Sequence, residues 1–356
     1  LIPWRKHWFV NLLPTLHHNQ EHSMLRLAMP RVLLTGFTPF GDHVENISEK
    51  LVNSMPTVLP IKNPFGPGGS EISVEKKILP VDVAGSTWTS EELESREWDA
   101  ILHLGLCGEC TEPRIELRAQ DSLNMKIPDN SGRQIAHTTI SGRGDLKTPV
   151  QVKRWDIPSW KIRPTLSSDA GSYICNETYY RTLDALQVSE VDVPCLFLHL
   201  PDSSHLSTSD GIQLIRDVIS HMLYRPSIQV AAGVFHSETQ FLAMQRSDSE
   251  PGSGKWEFPG GSVESNESPE EAVIRELKEE LGVTSEINKK LGLWSFTYPF
   301  LHVELHVFLV STEDSLDSLT LSVHKSMQWV NSEDASRLDW LEADLPIVEH
   351  LQGLGY

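Results

Sequence analysis

Long hydrophobic runs are missing from this 356-residue sequence. No apolar stretch approaches the roughly 18 to 20 residues that a membrane helix needs, so the membrane is not an expected partner. Cysteine is scarce. Cys107, Cys110, Cys175 and Cys195 are too few for a disulfide-stapled scaffold, and at least some free thiols are expected. Cys107 and Cys110 form a single CxxC, which cannot supply the four ligands of a structural zinc site. Positive charge is short as well: 30 Lys and Arg stand against 49 Asp and Glu, for a formal net charge of −19. That balance repels polyanions and argues against long nucleic acids and anionic membrane surfaces as partners. No export signal is expected, because Pro14, His17 and His18 interrupt what would be its apolar centre. A soluble cytoplasmic protein is the expectation.

With 39% hydrophobic and 22% charged residues, the chain can bury ordinary cores. At roughly 150 residues per domain its length suggests two. Residues 1–28 read as an extension of unassigned function and poor order, with Met24 or Met29 as alternative starts to Leu1. In residues 29–225, apolar runs at 32–34, 100–104 and 195–200 alternate with helical patterns at 46–55, 176–186 and 208–223. Strand-helix alternation predicts an α/β fold. Residues 226–356 differ, with strands expected at 228–235, 239–246, 293–301 and 303–310, a helix at 269–281 and a last helix at 344–351. Charge shifts at the same point: 22 basic and 27 acidic residues precede Ser227, and 8 and 22 follow from it.

The strongest motif is Gly261-x5-Glu267-x7-Arg275-Glu276-Leu277-x-Glu279-Glu280-x-Gly282. Ser268, Pro269 and Glu271 make a helix start with a capping box. Glu276, Glu279 and Glu280 then fall at i, i+3 and i+4 on one face. Like charges at that spacing destabilise a bare helix, which a divalent cation offsets; oxygen-only ligands favour Mg²⁺ or Mn²⁺.

This pattern is the signature of the Nudix hydrolases. Through Trp256-Glu257-Phe258-Pro259-Gly260-Gly261 it most resembles their MutT-like branch, over residues 227–356. The resemblance implies hydrolysis of nucleoside triphosphates to monophosphate and pyrophosphate, with the metal polarising the phosphates. It makes Glu276, Glu279 and Glu280 metal ligands, with Glu279 also catalytic and the Gly260 carbonyl a further ligand candidate. Gly261, Glu267, Arg275 and Gly282 support them; Arg275 would orient the glutamates and Glu267 would tie the loop to the helix. Arg246 falls where the branch binds phosphate, and Asp344 where it reads the base. An aspartate accepts from an exocyclic amino group, as on cytosine or guanine. One position departs: Val323 stands where a fourth metal-binding glutamate is usual, and Glu304 is a candidate substitute.

In the first half, Cys175 opens a predicted helix in Gly171-Ser172-Tyr173-Ile174-Cys175-Asn176, where the helix dipole favours thiolate. His199 lies at the C-terminal end of an apolar strand, the edge where α/β sheets assemble sites. Glu116 lies in Pro113-Arg114-Ile115-Glu116. Thiolate, base and orienting carboxylate make a nucleophilic triad, but spacing alone does not join these three.

What joins them is a resemblance to pyroglutamyl peptidase I over about residues 29–222. It is carried by Thr35-Gly36-Phe37-Thr38-Pro39-Phe40-Gly41, Glu116, Ile127-Pro128-Asp129-Asn130 and Gly171-x-Tyr173-x-Cys175-Asn176. It implies a cofactor-free thiol exopeptidase that removes N-terminal pyroglutamate, with Cys175 as nucleophile, His199 as general base and acid, and Glu116 orienting His199. Phe37 and Phe40 would line the pocket for the flat, uncharged lactam, and the family often forms homo-oligomers. Lys126 replaces a usual arginine and Leu106 a frequent glutamine; Cys107 and Cys110 read as local variation in that segment.

The two resemblances together imply an N-terminal α/β/α peptidase domain with a mixed sheet, residues 29–225, fused to a C-terminal Nudix α/β/α sandwich, residues 226–356. The expected function is bifunctional, acting on pyroglutamyl peptides and on nucleoside triphosphates. Two alternatives stay open at this point. Lys126 and Leu106 suggest a peptidase-like half that only binds or oligomerises; Val323 suggests a Nudix half that senses nucleotide without hydrolysing it.

Overall fold

A computed structural model describes residues 29–249, 252–298, 301–315, 321 and 324–356. The expected extension at 1–28 and the Val323 position lie outside the described residues. The chain divides into two compact units, one ending at Arg225 and the other running from Pro226 to Tyr356. No helix among the described residues is long and apolar enough to cross a membrane.

The first unit runs β1 (Arg31–Phe37), α1 (Ile47–Ser54), β2 (Val58–Lys62), β3 (Gly69–Leu79), α2 (Val83–Glu92) and β4 (Ala100–Leu106). Four short strands follow: β5 (Arg114–Glu116), β6 (Arg118–Ala119), β7 (Leu146–Lys147) and β8 (Thr165–Ser167). Then come α3 (Ile174–Val188), β9 (Cys195–Leu200) and α4 (Thr208–Leu223). Seven strands form one sheet in the order β2-β3-β1-β4-β9-β5-β8. It is mixed: β3, β1, β4 and β9 pair in parallel, whereas β2 and β5 join them antiparallel. β4 and β9 are buried along their whole length because helices cover both faces. Leu102, Leu104, Leu196 and Leu198 pack on one side with Leu51 of α1 and Leu214 of α4. Ile101 and Phe197 pack on the other with Ile174, Tyr179 and Leu183 of α3.

β3 was not singled out in the sequence: Ile72 and Val74 alternate into the core, but Glu75, Lys76 and Lys77 follow them. Glu75 lies at a strand position where Arg31 and Arg96 pair with it, and pairing with β1 and β2 carries the strand onward.

The second unit runs β10 (Ser227–Phe235), β11 (Phe241–Arg246), β12 (Trp256–Glu257), β13 (Gly260–Ser262) and α5 (Pro269–Leu281). β14 (Ser285–Tyr298), β15 (Leu301–Thr312), β16 (His324–Val330), α6 (Ser332–Ala335) and α7 (Leu345–Leu354) complete it. A four-stranded sheet, β13-β10-β15-β14, and a three-stranded one, β12-β11-β16, are packed by helices on either side. Leu277 of α5 shares a core with Leu242, Met244 and Phe308; Ile347 and Leu351 of α7 share another with Phe241 and Trp340. The strand expected at 293–301 begins earlier, at Ser285, and stops at Tyr298. Asn288, Lys289 and Lys290 hid its first half, and two register shifts against β15 break its alternation.

Candidate active sites

In the first unit, Cys175 is the second residue of α3 and therefore sits among the unpaired amides of a helix N-terminus. β4 places Gly105 beside His199 of β9. A Cβ on Gly105 would lie 3.0 Å from Cys175 Sγ and 2.7 Å from the Phe197 ring. Glycine at this position lets the start of α3 approach the sheet so closely. β5 pairs antiparallel with β9, setting Glu116 across from Phe197. From there a Glu116 carboxylate oxygen lies 2.8 Å from His199 Nδ1. Both side chains are buried, and His199 also hydrogen-bonds Cys175. Three residues separated by up to 83 positions thus form one line of thiol, imidazole and carboxylate.

Burial by itself would depress the His199 pKa. The hydrogen bonds and charges of Cys175 and Glu116 overcome it and raise the value to about 9. The imidazolium therefore persists up to that pH, in the protonation state that stabilises a neighbouring thiolate. A pH profile of peptide hydrolysis should accordingly show an alkaline limb near 9. Glu116→Gln removes a charge that favours the imidazolium, so the limb moves down toward the ordinary histidine range. An unshifted limb in the variant would detach Glu116 from the site.

Phe37 differs from expectation. It is fully buried against Phe197, with ring centroids 6.4 Å apart, and backs the site instead of lining an open pocket. Phe40 is half-buried and lies between His43 and Tyr173, its ring tilted to both with centroids 5.3 and 5.7 Å away. Ile127 is exposed, with its Cδ1 3.2 Å from where a Gly41 side chain would start. The rest of that segment is tethered. Asn130 donates to the Pro39 carbonyl and Tyr173 Oη to that of Pro128. Arg133 joins Asp129 to Glu177 of α3, while Asn176 bonds the backbone of Gln120 and Ser122. Sequence reading missed His43, Arg133 and Glu177; Tyr173 was visible inside the nucleophile motif. Leu106 is buried with Leu104 and Leu200, and Lys126 is exposed. Cys107 and Cys110, read as local variation, are joined by a disulfide, with Cα atoms 5.4 Å apart, while Cys175 and Cys195 are free.

In the second unit, α5 begins at Ser268 with both bonds of the capping box and ends at Gly282, whose φ is 74°. Arg275 binds Glu267 through two nitrogens, reaches the Ser262 carbonyl, and pairs with Glu276 at 2.8 Å and Glu279 at 3.5 Å. Its guanidinium holds Glu267 below the usual carboxylate range. Glu280 accepts from the Gly260 amide at 3.2 Å. Glu276 and Glu280 are buried, whereas the Glu279 side chain is 51% exposed. Among the described residues, no group of three or more side chains is drawn together as a metal site. The donors present are nonetheless all oxygens on one helix face beside the Gly260–Gly261 backbone, a set that fits Mg²⁺ or Mn²⁺.

Gly261 makes room for that set. An added Cβ would meet the Glu276 carboxylate at 2.4 Å. Gly261→Ala should displace Glu276, destabilise the fold by about 1–3 kcal/mol and lower nucleotide hydrolysis. Thermal unfolding beside the activity assay checks both effects; an unchanged melting temperature would contradict the crowding.

Arg246 forms a half-buried ion pair with Glu257, whose other oxygen lies 3.0 Å from His324 Nε2. His324 Nδ1 is buried without a partner. Glu257 was visible in the Trp256–Gly261 run, but nothing in the sequence marked His324. Asp344 is buried; burial and the nearby Glu257 charge raise its pKa well above the usual range, against a hydrogen bond from the Phe258 amide. Burial thus favours the uncharged form of the expected acceptor. Glu304 sits on β15, where it accepts from Gln229.

The pyroglutamyl peptidase family model matches residues 30–212, and the NUDIX domain model residues 226–351. A pyrrolidone-carboxylate peptidase of Coprothermobacter proteolyticus is 31% identical over 49% of this chain and 82% of its own. A CTP pyrophosphohydrolase of Escherichia coli K12 is 30% identical over 36% of this chain and 93% of its own. An 8-oxo-dGTP diphosphatase of Proteus vulgaris is 39% identical over 25% of this chain and 81% of its own.

Proposed function

The chain belongs to the pyroglutamyl peptidase family in its first half and to the Nudix family in its second, both families of hydrolases, and on that premise we propose that it is a bifunctional hydrolase. The observation that carries the peptidase half is the hydrogen-bonded line Cys175–His199–Glu116. Cys175 attacks the carbonyl that follows the pyroglutamyl ring. His199 stabilises the thiolate, then delivers its proton to the leaving amine and activates the water that releases pyroglutamate. The unpaired first-turn amides of α3 are available to the oxyanion. Phe40 and Tyr173 offer apolar faces to an uncharged lactam. An assembled triad favours catalysis over a purely binding role for this half.

In the second half the substrate class is a nucleoside triphosphate, split to monophosphate and pyrophosphate. Glu276, Glu279 and Glu280 would hold Mg²⁺ or Mn²⁺, which when bound polarises the phosphates. Arg275 keeps the glutamates apart and aligned. Asp344, held neutral, can accept from the 4-amino group of cytosine while donating to its ring N3, a pairing that an ionised aspartate cannot make. A cytosine nucleotide is therefore the preferred substrate in this reading, in keeping with one relative's named activity.

The test is pyrophosphate release from a panel of nucleoside and deoxynucleoside triphosphates with Mg²⁺. The cytidine forms should turn over fastest. No release from any member would overturn the nucleotide half, and a purine preference would overturn the role given to Asp344.

A further inference from the structure

The disulfide Cys107–Cys110 is used by neither reaction. It starts one residue after β4, at the sheet edge where the peptidase triad assembles. Cys107 follows Gly105 by two residues, one strand repeat of about 7 Å, which returns its side chain to the same face. That face meets the start of α3: Gly105 is the residue whose missing Cβ would lie 3.0 Å from Cys175 Sγ. The Cys107 amide continues the ladder by donating to the Leu200 carbonyl, just beyond His199. Gly108, inside the bridge, adjoins His43, and the His43–Phe40–Tyr173 rings lead back to the residue that caps α3. Three of the four cysteines in the chain therefore gather at one sheet edge. Two are bonded to each other, and the third, at the helix N-terminus, is free.

We propose that Cys107 and Cys110 are a resolving dithiol for Cys175, returning that thiol to its reduced form after attack by a peroxide. A thiolate at a helix N-terminus beside an imidazolium is the kind that peroxides oxidise. Cys175 thiolate displaces hydroxide from the peroxide and becomes a sulfenic acid. The Cys107 thiol attacks that sulfur, forming a Cys107–Cys175 disulfide and releasing water. The Cys110 thiolate then attacks Cys107, forming the Cys107–Cys110 disulfide and returning Cys175 as a thiol. One peroxide is reduced, two thiols are oxidised, and the end state has the bonding pattern of the structure. Gly108 and Glu109 are exposed and Cys107 is half-buried, whereas Cys110 is buried, so a soluble dithiol reductant would attack at Cys107 to restore the pair.

The inference rests on reading Cys175 as a reactive thiolate, and not on the identity of its peptide substrate. Its test uses the full chain, reduced, freed of reductant, treated with limiting hydrogen peroxide and read by peptide mass spectrometry after alkylation. In the parent, Cys107–Cys110 should form while Cys175 remains alkylatable. Cys110→Ser should trap a Cys107–Cys175 cross-linked peptide. Cys107→Ser should convert Cys175 to sulfinic acid, with about tenfold more over-oxidation than the parent.

Cys175→Ala should slow formation of the Cys107–Cys110 bond by a similar factor. An unchanged rate in Cys175→Ala, or no cross-link in Cys110→Ser, overturns the proposal. Labelling by iodoacetamide separates the two levels. Fast labelling of Cys175 without a cross-link sinks the resolving role alone; slow labelling sinks the thiolate reading beneath it.

Discussion

Cys175→Ala is expected to abolish release of coumarin from a pyroglutamyl-coumarin amide, lowering kcat by roughly 10⁴- to 10⁶-fold, the scale seen when a covalent nucleophile is removed. The expectation follows from the geometry. His199 has one partner on each side, Cys175 and Glu116. Without the thiol, His199 keeps Glu116 but has no nucleophile to activate. The Cys175 side chain is only half-buried, so its truncation leaves the packing of Ile174, Tyr179 and Leu183 intact. The variant should therefore fold normally and keep the nucleotide activity of the parent. Residual peptide hydrolysis near the parental rate would show that another group attacks the carbonyl.

Glu279→Gln is expected to lower metal-dependent pyrophosphate release by about 10²- to 10³-fold, the loss typical of removing one principal stabiliser of transition-state charge. Among the three box glutamates this one separates chemistry from folding best. Glu276 is buried in its pair with Arg275, and Glu280 is buried against the Gly260 amide. Replacing either also removes a contact made by a buried carboxylate, a structural cost of about 1–3 kcal/mol. Glu279 is half-exposed, and its 3.5 Å approach to Arg275 is a surface contact of small worth. Its replacement should thus leave thermal stability unchanged. A fall in melting temperature together with activity would instead assign Glu279 a structural role.

Much of this arrangement was legible in the sequence, for local reasons. The α5 helix and its caps followed from Ser268, Pro269, Glu271 and Gly282, because a capping box and a left-handed stop are encoded within a few residues. β4 and β9 followed from unbroken apolar runs that mark strands covered on both faces. What escaped depends on distant partners. β3 carries Glu75, Lys76 and Lys77, and pairing with β1 and β2 extends it through them. His324 and Arg246 meet over Glu257 through strand pairing across β11, β12 and β16. The triad residues were each visible, but their union required the β4–β9–β5 register that no spacing reveals. Phe37 shows the converse: its motif was clear, yet only packing tells a wall of the pocket from the core behind it. The cysteine pair was misread for the same reason, since its bond is a fact of three-dimensional placement.

The central claim is that one chain carries two separate hydrolytic sites. It is tested most directly by assaying one preparation of the parent, Cys175→Ala and Glu279→Gln on both a pyroglutamyl-coumarin amide and CTP with Mg²⁺. The account predicts both activities in the parent and loss of only the peptide reaction in the first variant. In the second, only the nucleotide reaction should fall. A parent that performs one reaction alone, or a variant that keeps the reaction assigned to its own site, would contradict it.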